Sequence, residues 1–115
     1  MFNEELRHRS FKLTIDVILF LRQIPDNQEH KIIKGQLIRS VSSMAANFRA
    51  SCTSRSKNEW YSKMCIVVEE TDETLFWIEI LENLIIQHKD ELEKLKEEAQ
   101  ELVKIFSKVR GKVKS

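Results

Sequence analysis

Apolar side chains recur along this chain at intervals of three and four residues, the spacing that gathers them on one side of an α-helix. The cleanest run lies near the C-terminal end. There Leu92, Leu95, Ala99, Leu102, Phe106, Val109 and Val113 step alternately by three and four, an a/d seam that packs helix on helix and predicts a helix over 89–113. Ile33, Leu37, Val41, Met44 and Phe48 predict another over 27–50. Trp60, Met64, Val67, Thr71, Leu75 and Ile78 predict a third over 57–86. The first segment, 5–24, is apolar on two sides, with Phe11, Ile15 and Ile18 on one and Leu13, Val17, Phe20, Leu21 and Ile24 on the other. A surface helix of a monomer ordinarily carries one apolar stripe. The extra face predicts contact between copies of the chain, with Val17, Phe20 and Leu21 expected at that seam. The third helix has a second stripe as well, about 120° around from the first. Its Ile66, Glu70, Glu73 and Trp77 mix acids with an indole, as an intersubunit seam would.

The segment ends carry their own signals. Pro25 closes the first helix, Asp26 and Glu29 have the spacing of a capping box, and Ser56 and Glu59 form a second one. Gly35 falls inside the second helix, at a cost of about 1 kcal/mol relative to alanine; it marks either a close helix contact or nothing. The junction at 86–89 has neither Gly nor Pro, yet one helix running from 56 to 113 would be far longer than small domains use, so a break is expected there. With only two glycines and one proline in 115 residues, the chain lacks the turns a β-rich fold needs. The expected fold is all-α: an up-down-up-down antiparallel four-helix bundle, one domain over 1–115.

The N-terminal Met1-Phe2-Asn3-Glu4-Glu5 has early acids and no apolar core, unlike a secretory leader. The longest apolar run, Val17 to Leu21, is far short of the roughly 20 residues of a membrane span. Cys52 and Cys65 lack the spacing of a metal or redox pair and are expected as free thiols. A cytoplasmic protein with no membrane partner is the expectation. Helix bundles can hold a di-iron site, but that needs two Glu-x-x-His motifs, and this chain has one, Glu5 to His8. No Gly-rich phosphate loop or nucleophile motif is present. Glu69, Glu70 and Glu73 are better read as a solvated or ion-paired helix face than as acid–base groups. No cofactor, no metal and no enzymatic activity are expected.

The net charge of +1 conceals a segregation. In an antiparallel bundle the start of the first helix, the corner between the second and third, and the end of the fourth share one end. Residues 1–12, 49–63 and 104–115 together carry twelve basic and three acidic side chains, or +9, leaving −8 on the rest. Arg7, Arg9, Arg49, Arg55, Lys57, Lys63, Lys108, Arg110, Lys112 and Lys114 are therefore candidate contacts for a polyanion. The alternative is that the C-terminal lysines merely complement the helix dipole and keep a tail soluble. Phe11, Trp60, Tyr61 and Phe106, the aromatics nearby, are expected to be buried, so base stacking is not anticipated.

Ser10-Phe11-Lys12-Leu13, Gln36 to Val41, Ser43-Met44-Ala45-Ala46-Asn47, Ser56 to Trp60 and Glu69 to Leu75 resemble, in order and spacing, a bacterial family of small four-helix bundles. That family was first noted as reading frames in intervening sequences of 23S ribosomal RNA genes. Ala45 stands where the family usually has proline, and Ala50-Ser51 where it often has Glu-Gly, so the end of the second helix is expected to be straighter. The resemblance implies a ring-like homopentamer without enzymatic activity. A related member, the accessory protein of diversity-generating retroelements, is a pentamer whose basic surface engages nucleic acid and a reverse transcriptase. The expectation is a homo-oligomer binding RNA through the basic end. The other possibility is an adaptor that recruits a partner protein through its acidic helix surfaces.

Overall fold

The computed structural model describes residues 2–111, which form four helices: α1 (Phe2–Leu21), α2 (Gln28–Ser51), α3 (Lys57–Leu84) and α4 (Lys89–Arg110). The first helix lies three residues earlier than its apolar pattern predicts. Pro25 disfavours helical geometry at the residue before it, and the chain leaves α1 through tight turns, with Gln23 N–H donating to Phe20 O and Ile24 N–H to Leu21 O. Asn27, not Asp26, caps α2: its Oδ1 accepts the His30 N–H at 2.7 Å. Asp26 turns instead to the Lys34 ammonium, 2.7 Å away. Ser56 caps α3 as its spacing predicts, its Oγ accepting the Glu59 N–H at 3.0 Å.

The break between α3 and α4 needs no glycine or proline. Ile85 goes extended (φ −89°, ψ 154°) and buries its side chain, and His88 turns the chain back at φ 64°. Gly111 closes α4 at φ 80°, a left-handed value that glycine adopts without a Cβ clash; Val113, the last predicted seam residue, lies outside the described residues. Around Gly35 there is open space, so that glycine marks no close contact.

Each helix packs on its chain neighbours and α1 closes the square against α4. The backbones of the diagonal pairs α1/α3 and α2/α4 stay apart, while the Phe48 ring of α2 meets the Phe106 ring of α4 across the core, centroids 5.0 Å apart. Directions alternate. Gln23 near the end of α1 reaches Glu91 at the start of α4, and Glu82 late in α3 meets Lys96 early in α4. The result is the expected antiparallel bundle, 45 × 29 × 19 Å. Leu37, Val41, Met44 and Phe48 of α2, Met64, Val67 and Ile78 of α3, and Leu92, Ala99, Leu102 and Phe106 of α4 fill the centre. Buried hydroxyls find partners within it: Thr14 Oγ1 lies 3.1 Å from the Val41 carbonyl, and Thr74 Oγ1 donates to Ser40 Oγ at 3.0 Å.

On α1 the structure reverses the assignment of the two apolar faces. Val17, Phe20 and Leu21, expected between subunits, are core residues of a single chain, with Phe20 only 3% exposed. Phe11, Ile15 and Leu19 are the residues left in solvent, at 60, 40 and 48% exposure. The neighbours of α1 are α2 and α4, and the Val17–Phe20–Leu21 side is the one that joins the common core.

Candidate nucleic-acid interface

Antiparallel packing brings the basic segments together as their order predicts. A cavity of about 490 Å³ at this end is lined by Asn3 of α1, Phe48 and Ser51 of α2, Arg55 and Lys57 at the α2–α3 corner, and Val109 of α4. A second, larger space of about 600 Å³ runs between α1 and α2. Glu4, Arg7, His8 and Phe11 line it from α1, and Ala45, Ala46 and Arg49 from α2.

The predicted cations do not all serve this surface. Arg9 points toward α4, donating through Nε to Glu98 Oε2 at 3.0 Å and through Nη2 to Glu98 Oε1 at 2.7 Å, with Glu101 at 3.0 Å. The Glu98 carboxylate, with Glu101 behind it, raises the already high pKa of this guanidinium. A two-pronged pair of this kind fixes geometry, so Arg9 tethers α1 to α4 and is withdrawn from the candidate surface. Arg55 is 90% exposed along its side chain and lies 3.7 Å from Glu59, a loose pair in water. Arg110 turns its Nε to the Gly111 carbonyl at 3.4 Å. Among the described residues, no carboxylate lies within ion-pair distance of Arg7, Arg49, Lys57, Lys63 or Lys108. Lys112 and Lys114 lie outside the described residues.

Of the nearby aromatics, Phe106 is buried, while Trp60 and Tyr61 are partly covered. Phe11 is exposed and lines the groove beside the arginines. Sequence reasoning missed it as a surface group. The signal was its place on the weaker of two apolar faces of α1.

The acidic stripe of α3 is tied to α2. Arg39 donates to Glu70 Oε2 at 3.0 Å and to Glu73, whose Oε2 also accepts the Trp77 indole N–H at 3.0 Å. Glu70, Glu73 and Trp77, expected at an intersubunit seam, thus spend polar groups within one chain, and Ile66 of that stripe stays exposed. Glu5 and His8 are both exposed near the start of α1. Among the described residues no three His, Cys, Asp or Glu side chains gather as metal ligands, and no helix is long and apolar enough to cross a membrane.

A family model described as 23S rRNA-intervening sequence protein matches residues 3–108. A solved structure, described as a protein with unknown function from the S23 ribosomal protein family from Bacteroides thetaiotaomicron, superposes with a TM-score of 0.83 at 20% identity. The overlap covers 93% of this chain and 99% of that one, and at this identity the likeness is one of fold. No curated protein matches the chain. Because the family match runs through all four helices, the chain belongs to the 23S rRNA-intervening sequence protein family.

Proposed function

We propose that this protein is a non-enzymatic, homo-oligomeric helical bundle that binds RNA through phosphate contacts at its basic end. The observation that carries the reading is convergence: Arg7, Arg49, Lys57, Lys63 and Lys108 come from all four helices to one end and, among the described residues, have no carboxylate partners. Cations left unpaired are available to displace the counterions condensed on a polyanion. Assembly is supported by exposed apolar groups on opposite sides of the bundle: Ile15 and Leu19 on α1, Phe76 and Leu84 on the diagonal helix α3. Two different patches facing apart favour a head-to-tail contact, and repeating such a contact closes a ring when the rotation permits. The resemblance to pentameric relatives agrees with this.

The test is the salt dependence of RNA affinity for the parent and for the double charge reversal Arg55→Glu, Lys57→Glu. Both positions are exposed at a corner, so helicity should be unchanged. Parental affinity should fall linearly with salt on a log–log plot, and the reversal should weaken binding to every RNA, because phosphates carry no sequence. Parental binding without salt dependence, or a reversal variant as tight as the parent, would make the basic end a solvated surface. The partner-protein adaptor would then be the better reading.

A further inference from the structure

Resting on that RNA-binding reading, we propose that the α1–α2 groove holds one unpaired nucleotide of an RNA strand, its base on the Phe11 ring and its phosphate between Arg7 and Arg49. The helical turn places Phe11 about 40° from Ile15 and 80° from Leu19, at about 100° per residue. The rotation is toward α2, the side on which Thr14 meets Val41. Phe11 therefore overhangs the groove, while Ile15 and Leu19 face outward. The space exists because α2 presents Ala45 and Ala46 there, side chains too short to fill it. Its volume of about 600 Å³ lies within the roughly 300–1,000 Å³ of small-ligand clefts.

A ring left 60% exposed beside a hollow lined by alanines offers an apolar face, and every base has a π-face to lay against one. Two arginines against the single carboxylate of Glu4 leave the groove positive, matching an anion attached to that flat apolar group. A paired base cannot reach the ring, because duplex RNA presents phosphates and 2′-hydroxyls while its bases stay stacked. The groove thus distinguishes single strands from duplexes, which the surrounding cations alone do not.

The experiment measures binding of a short unstructured oligouridylate and of a blunt RNA duplex to parent, Phe11→Ala, Ala46→Phe and Arg7→Ala. Phe11 and Ala46 are exposed, so circular dichroism should show folded protein for each. Phe11→Ala should lose about five- to a hundred-fold in affinity for the single strand, with its salt slope and duplex binding unchanged. Ala46→Phe, which fills the groove without altering charge, should behave likewise. Arg7→Ala should instead lower the single-strand salt slope by about 0.7 for the phosphate it releases. Equal affinity for strand and duplex, a Phe11→Ala variant as tight as the parent, or a fall in that variant's mass by light scattering (Phe11 then packing on another copy) would overturn the inference. If the parent binds both RNAs equally with a steep salt slope, only the groove assignment falls. If it binds neither, the RNA-binding reading falls with it.

Discussion

The Glu73 carboxylate accepts the Trp77 indole N–H at 3.0 Å and a guanidinium proton from Arg39, and both contacts favour its charged form. The indole bond first, then Arg39, holds its pKa below the usual carboxylate range; Arg39 is correspondingly pushed up by Glu73. A group whose folded pKa is depressed stabilises the fold above its unfolded value and loses that contribution as pH falls through the folded one. The contribution should therefore be intact at neutral pH and fade through the acid range below the ordinary carboxylate value. Trp77→Phe removes the donor while keeping most of the ring. The Glu73 midpoint, followed by carboxyl carbon NMR, should rise toward the ordinary value but stop short of it, because Arg39 remains. An unmoved midpoint would mean that the indole bond does not form in solution. That Glu70, Glu73 and Trp77 share one face was legible from their spacing. That Arg39, more than thirty residues upstream, occupies this face was not.

Helix ends obey local chemistry, and the capping residues at α2 and α3 show how far their spacing decides them. Ser56-x-x-Glu59 is a cap in both sequence and structure. At α2 two adjacent acceptors, Asp26 and Asn27, compete for one role; the capping-box spacing favours Asp26, but Lys34 draws that carboxylate away. Asn27→Ala and Ser56→Ala should each lower unfolding free energy by about 0.5–2 kcal/mol in urea titrations at unchanged slope. Asp26→Ala should have a smaller effect, since the Lys34 ammonium keeps the Ile24 carbonyl as a partner. An Asp26→Ala loss as large as that of Asn27→Ala would reinstate Asp26 as the cap. The α3–α4 break left no mark of composition, because it depends on the core drawing Ile85 inward while His88 accepts a left-handed backbone.

At the scale of the whole molecule, adjacent residues of α1 separate folding from assembly. Phe20 is buried at 3% exposure and Leu19 lies outside at 48%. Removing a buried phenylalanine ring costs about 3–5 kcal/mol, a large share of the roughly 5–15 kcal/mol that holds a domain together. Phe20→Glu adds an unpaired buried charge and should fail to fold, with loss of helical circular dichroism. Leu19→Glu should keep the parent's helicity and thermal transition while light scattering reports a lower mass. A Leu19→Glu variant with the parent's mass would move the seam away from α1.

The sequence by itself determined the fold class, the four helices to within a few residues, and the end of the bundle at which charge collects. Each follows from local periodicity and from the antiparallel order that short connections impose. It could not determine which apolar face of α1 is core, because both have helical spacing and similar hydrophobicity. The choice depends on where α2 and α4 approach. Nor could it see that Glu98 and Glu101 remove Arg9 from the basic surface, or that Ala45 and Ala46 open a hollow under Phe11. Those features arise between side chains far apart in the chain and near in space. Only the tertiary structure decided them, because a helical repeat specifies the direction of a side chain around its own axis and not what stands opposite.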